Sequence, residues 1–284
     1  MDAAVLLAKQ RSVLVRAHSD DVARLTRAGF VEAPQVVESL VRAPIALDIY
    51  PRRYRKTLRR SVEEWQRLGL RLQLHDMARY GVERFLDQLY FPLFARTMYE
   101  RGIAPHHANT IDGLMELIDA GIRVAVVSTA SDDPVGAALL RPSPSDPRRV
   151  ALHGPSPEGH WEEGLVYSLG PGLDNCRRAL MIKLAEAVAA DGARWFSLGR
   201  DLALCESGYA AVFEEKLRLA SSVVACFGTL HEMYSLRPRD ADSFALLEWD
   251  PTRAALEPRL FGADSKALMQ VAERLGRVSS PTQQ

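Results

Sequence analysis

Six bases fall within nine residues at Arg52, Arg53, Arg55, Lys56, Arg59 and Arg60. On the roughly 3.6-residue helical period, Arg52, Lys56 and Arg60 lie near one stripe and Arg55 and Arg59 near another, so the cationic surface is broad. It either binds a polyphosphate or is a solvated face paired with Glu63 and Glu64. Its concentration in a chain whose 36 Lys plus Arg balance 36 Asp plus Glu favours a phosphorylated ligand. His106 and His107 follow Pro105 in GIAPHHANT, between two helical patterns. Imidazole titrates near neutrality, which suits a substrate contact or a base; the alternative is an ordinary surface loop. The pair has no third ligand at metal spacing, and His18, His75, His153, His160 and His231 form no HExxH-like pattern. No metal is expected.

Other chemistries lack their residues. There is no G-x-S-x-G elbow, no P-loop and no G-x-G-x-x-G, so hydrolase, NTPase and dehydrogenase readings fall away. Cys176, Cys205 and Cys226 are odd in number and hold no C-x-x-C, which argues against a disulfide framework or zinc ribbon and for a reducing cytoplasm. No apolar run reaches the roughly 20 residues of a bilayer span, and the first ten residues do not read as a signal peptide. At 284 residues, 47% hydrophobic and 25% charged, the chain can bury a real core in at most two domains.

The elements that position these residues change character along the chain. Residues 11–50 hold short pieces, RSVLVRA and PIALDIY, that suit strands or strand–helix connections. PRRYRKTLRRSVEEWQRLGL at 51–70 predicts a helix opened by Pro51, stopped at Gly69 and buried on Leu58, Val62, Trp65 and Leu68. RLQLHD at 71–76 alternates as a strand. A helix over 82–102 is expected to kink or break at Pro92, and another is expected over 110–121. IRVAVVSTA, the turn SDDP and VGAALLRP predict an antiparallel hairpin, with RRVALHGP and GLVYSLGP extending the sheet. A long helix runs from about Leu173 to Ala190 and closes at Gly192, and ARWFSLGR returns as a strand. YAAVFEEKLRLA reads as helix or turn plus strand, SSVVACFGTLHEMYSL as strand, and SKALMQVAERLG as a short helix. Helices, hairpin, then strand, helix and strand make an α+β protein with a central mixed, mostly antiparallel sheet flanked by helices.

Within this order, the pieces Ala190-Asp191-Gly192, Ser197-Leu198-Gly199-Arg200 and Lys216-Leu217-Arg218-Leu219-Ala220 resemble the C-terminal part of Fem-type and related GNAT-fold acyltransferases. RRYRKTLRRSVEEWQRLGL looks like the basic helix that opens such units, and MYERGIAPHH like the loop after their helical hairpin. The resemblance covers roughly residues 45–235. It implies a GNAT-like fold over 45–236, with 1–44 an N-terminal remnant or extension and 237–284 a C-terminal strand and helix extension. It also implies a groove between the strands 163–169 and 194–199. The implied chemistry is acyl transfer from a carrier to an amine without a covalent enzyme intermediate.

Acyl-CoA members hold the pyrophosphate on a Gly-rich loop at a helix N-terminus. Here GPGLDNCRRALM places Gly170 and Gly172 too early, Arg177 and Arg178 where small residues belong, and Asp174 at the helix start, where it would repel a pyrophosphate although it suits an N-cap. That departure points to the Fem-type donor, aminoacyl-tRNA, with its phosphates on Arg52, Arg55, Lys56, Arg59 and Arg60. The acceptor is then an amine of a peptide, natural product or cell-wall precursor, as in aminoacyl-tRNA-dependent peptide-bond formers of antibiotic biosynthesis. No tightly bound cofactor is expected. Aminolysis needs a neutral amine, a site for the oxyanion and a proton path. Lys216 would stabilise negative charge, Tyr209 would pass a proton, and Glu162, Glu163 and Asp174 are candidate bases or amine ligands. His106, His107, Ser197, Gly199 and Arg200 are candidate substrate contacts. Two alternatives stay open: an acyl-CoA-dependent N-acyltransferase using acetyl-CoA or another acyl-CoA, and a catalytically inactive GNAT-like binding module.

Overall fold

The structure, a computed structural model, describes residues 13–33, 36–95, 121–142, 149–154, 161–202, 210–226 and 244–249. Two compact units divide the chain: one holds residues 1–39, 145–156 and 200–284, the other 40–144 and 157–199. The region 45–236 therefore runs through both.

In the second unit, the helix α2 (Arg52–Arg67) forms where the sequence places it. Pro51 stands at its N-cap, and Leu70 N–H closes its end on Trp65 O at 3.1 Å. It buries Leu58, Ser61 and Trp65, whereas Val62 and Leu68 are half-buried. The strand β4 (Arg71–Asp76) follows, then the short helices α3 (Met77–Tyr80) and α4 (Val82–Phe85). The expected kink at Pro92 takes another form, a π-helical stretch over Leu86–Ala95 with Pro92 inside it. Proline has no N–H to close an α-helical bond and its ring crowds the carbonyl four residues back, which the wider π turn relieves.

The strands β5 (Arg123–Ser128) and β6 (Pro134–Pro142) make the expected hairpin, Val124 opposite Leu139. The strand β8 (Trp161–Leu169) extends it antiparallel on β6, and β9 (Trp195–Leu202) lies parallel to β8. The order β4-β5-β6-β8-β9 makes the mixed, mostly antiparallel sheet that was expected. Val124, Val126, Ala137 and Leu139 on one face pack with Met77, Tyr80, Phe85, Leu89 and Leu93. The helix α5 (Arg177–Ala190), entered through a 3-10 turn at Asp174–Cys176, packs against α2 and β4. At its C-terminal end Gly192 takes φ 90°, a conformation that glycine alone adopts freely, and Ala193 N–H donates to Val188 O at 3.0 Å.

In the first unit, β1 (Val13–His18), β11 (Phe244–Trp249) and β2 (Val31–Ala33) form an antiparallel sheet packed against α1 (Ser19–Arg27). The strand β7 (Arg149–His153) pairs with β10 (Ser222–Cys226), and α6 (Ala210–Leu219) is a helix, one of the two forms read for it. The strand β3 (Val36–Arg42) begins in this unit and ends in the other. PIALDIY, read as a short strand or a strand–helix connection, is a connection: a 3-10 turn at Leu47–Ile49 between β3 and α2. The molecule is α+β. The helices expected at 110–121 and 265–276 lie outside the described residues.

Candidate functional site

The feature that sets β8 apart is the length of its two ladders. Its antiparallel ladder with β6 runs from Glu162 to Leu169, whereas its parallel ladder with β9 has three pairs, Trp161↔Trp195, Glu162↔Phe196 and Glu163↔Ser197. Two residues past Glu163 the β6 register skips Leu165, because Leu140 faces Gly164 and Leu139 faces Val166. A bulge residue of this kind has no ladder partner and bends its strand. The backbone groups of β8 and β9 beyond these pairs must find partners elsewhere, in protein, water or a bound molecule.

Glu162 and Glu163 occupy ladder positions opposite Phe196 and Ser197. Ser197 is fully buried, and its Oγ accepts the Gly199 N–H at 3.2 Å. Gly199, at φ 98°, turns the backbone within β9 into a conformation that a side chain disfavours. Arg200 lies in the first unit, where its side chain is 1% exposed and its Nε stands 3.7 Å from Oε2 of the fully buried Glu38. Lys216 sits on α6, half-buried, also in the first unit. Tyr209, His106 and His107 lie outside the described residues.

Asp174 does not cap α5. No side chain caps the N-cap position, Cys176; Asp174 pairs with Arg177 at 2.8 Å and remains 78% exposed. The partner at the helix start comes from α2. Ser61 Oγ accepts the Ala179 N–H at 3.0 Å and donates to Asn175 O at 2.5 Å. A serine on the buried face between Leu58 and Trp65 gave no sequence signal for this role, because the cap is made across 118 residues. Burial, then the Glu64 carboxylate, push the neighbouring Cys176 thiol above its ordinary range, which Arg67 partly offsets.

On α2 itself Arg52, Arg53, Lys56, Arg59 and Arg60 are exposed, and among the described residues none is in an ion pair. Arg55 is half-buried and reaches Asp48 O at 3.5 Å. Among the described residues the alternative pairing of these bases with Glu63 and Glu64 is not formed. Glu64 instead accepts two bonds from Arg67, at 2.8 and 2.6 Å, which hold its carboxyl below the usual range. The first turn of α2 contains no acid, so these cations crowd the positive end of the helix dipole.

Among the described residues no group of three ligating side chains could hold a metal ion, and no helix is long and apolar enough to cross a membrane. No family model matches the chain, and no curated protein matches it. Solved structures similar to it include L-PGS from Bacillus licheniformis, with TM-score 0.44 and 15% identity over 93% of this chain and 73% of that one. FemX, with TM-score 0.44, is 11% identical over 87% of this chain and 75% of that one. A tandem GNAT protein from the clavulanic acid biosynthesis pathway, with TM-score 0.34, is 9% identical over 88% of this chain and 68% of that one.

Proposed function

We propose that the protein is a GNAT-like acyltransferase that forms an amide bond, moving an aminoacyl group from aminoacyl-tRNA to an amine of a peptide, natural-product or cell-wall-type acceptor. The observation that carries this reading is the early end of the β8–β9 ladder, after Glu163↔Ser197, beside the bulge of β8. Two parallel neighbours that stop bonding leave an opening lined by backbone donors and acceptors, into which a carrier-bound ester and an amine can be led. The unladdered Leu165 N–H is the proposed donor to the oxyanion that develops on the ester carbonyl. Glu162 and Glu163 are the proposed carboxylates for the amine.

The donor reading is supported at two places. The start of α5 is a poor pyrophosphate site, because Ser61 already uses the Ala179 N–H and Asp174 contributes negative charge. The basic face of α2 carries exposed cations that form no ion pair among the described residues, against the field of their own helix dipole, and a polyanion would relieve that repulsion. The test is transfer from a charged-tRNA mixture to an amine acceptor by the purified protein. RNase-sensitive transfer without turnover of acetyl-CoA is expected. RNase-insensitive turnover of acetyl-CoA would establish the acyl-CoA reading and return α2 to a solvated surface, and no transfer from either donor would leave a binding module.

A further inference from the structure

A cavity of about 420 Å³ lies within the second unit, over β4 and β5 and beneath α3, α4 and the start of the π-helical stretch. This volume is within the roughly 300–1,000 Å³ usual for small-molecule sites. It is distinct from the β8–β9 opening, since none of its lining residues belongs to β8 or β9. Its walls are polar where they are not sheet.

A fixed cation lines the cavity. Arg84 donates from Nε to Gln88 Oε1 at 3.1 Å, and its guanidinium lies 4.6 Å from the centre of the Tyr80 ring. Tyr80 donates its own hydroxyl to the same Gln88 oxygen at 3.4 Å and packs 5.3 Å from the His75 ring. Gln88 thus aligns both groups. The Arg84 guanidinium also interacts with the Tyr80 hydroxyl, so the flat fork is held against the cavity wall.

A carboxylate on a turn of fixed backbone, Asp132, also lines the cavity. Asp132 belongs to the β5–β6 turn and has φ 66°, a left-handed conformation that costs a side-chain-bearing residue about 1 kcal/mol. The turn keeps it there: Asp132 N–H donates to Thr129 O at 3.1 Å, Thr129 N–H to Asp133 O at 3.0 Å, and Ser131 Oγ to Asp133 at 2.7 Å. The carboxylate is 82% exposed and has one long ion pair, 3.4 Å to Arg71. Strain of this kind collects where a side chain must be aimed. The Ser128 hydroxyl lies along the wall with the two charged groups.

We propose that this cavity binds a small zwitterion, a free α-amino acid or a short peptide, with its carboxylate on Arg84 and its ammonium on Asp132. The site is independent of the acyl donor. A simple anion would use Arg84 and be repelled by Asp132, and a simple amine the reverse, so a molecule that carries both charges is selected over either half.

Calorimetric titration of the full chain with the common amino acids, Gly-Gly and Ala-Ala tests it, with propionate and ethylamine as half-ligands. At least one zwitterion should bind saturably, and each half-ligand at least about tenfold more weakly, the effect of one charge-assisted hydrogen bond. Arg84→Gln and Asp132→Asn should each weaken that binding by a similar factor. Both positions are exposed, and loss of folding in one variant leaves the other to decide. Tighter binding of a dipeptide or of a free amino acid identifies the source. Absence of binding to every zwitterion at about 10 mM, binding unchanged in both variants, or propionate binding as tightly as the best zwitterion overturns the proposal.

Discussion

Arg200 shows how burial changes the meaning of a residue. In the sequence it follows Ser197-Leu198-Gly199 as a candidate substrate contact, but its side chain is 1% exposed and faces Glu38. Breaking a buried pair leaves a charge without compensation, at about 3–5 kcal/mol. Arg200→Ala should therefore lower the urea midpoint sharply, and a variant that keeps full stability but loses substrate affinity would restore the contact role. Cys176 gives a second prediction. Its thiol is raised in the folded chain, so between the ordinary thiol value of about 8.5 and the folded value the unfolded chain has lost a proton that the native one keeps. Stability from this group is complete below that range and declines as pH rises through it. Replacing Cys176 with alanine should flatten the alkaline fall in unfolding free energy relative to the parent protein, and an identical slope in both proteins would remove the effect. These roles were hard to read because a residue type carries no record of what lies opposite it; Arg84 and Asp132 gave no motif, and His75 read as merely structural or exposed.

Elements were legible where their signals are local. The apolar stripe of α2, the alternation of β4, the SDDP turn and Gly192 each act over a few residues, and all reappear at the expected positions. The start of α5 was not legible, since its cap arrives from α2. Nor were α1 and β3 recognised, although Ser19, Asp20 and Asp21 ahead of Arg24 and Arg27 are a complete dipole-matched pattern for α1. The interhelical cap makes a prediction of its own. Ser61→Ala would leave the Ala179 N–H buried without its acceptor, a cost of about 1–3 kcal/mol, more than a surface N-cap serine usually contributes. Chemical denaturation should show that loss. A Ser61→Ala protein within experimental error of the parent would mean that water replaces the hydroxyl and that the start of α5 is accessible.

At the scale of the whole molecule, the sequence pointed to a contiguous unit at 45–236, whereas β3 and β9 each contribute residues to both folded units. Strand partnership across such separations is not written in local periodicity, so this interleaving had no sequence signal. Net charge, in contrast, was legible from composition. The 36 cations and 36 anions cancel, so the molecule as a whole offers RNA no long-range attraction, and any affinity must come from the face of α2. Log affinity should then fall against log salt by about 0.7–0.9 per phosphate contacted, and the slope cannot exceed what the six bases at 52–60 supply. Replacing Arg55, Lys56 and Arg59 with glutamate changes three charges from +1 to −1, which takes the formal net charge from 0 to −6. Loss of three contacts alone reduces the slope by about 2–3 units, whereas a bulk-charge effect would weaken RNA binding equally when three exposed cations elsewhere, such as Arg24, Arg27 and Arg79, are reversed. A filter-binding titration of tRNA against salt for the two triple variants separates the cases: only the α2 variant should lose its slope, and equal losses would show that α2 is not the RNA surface.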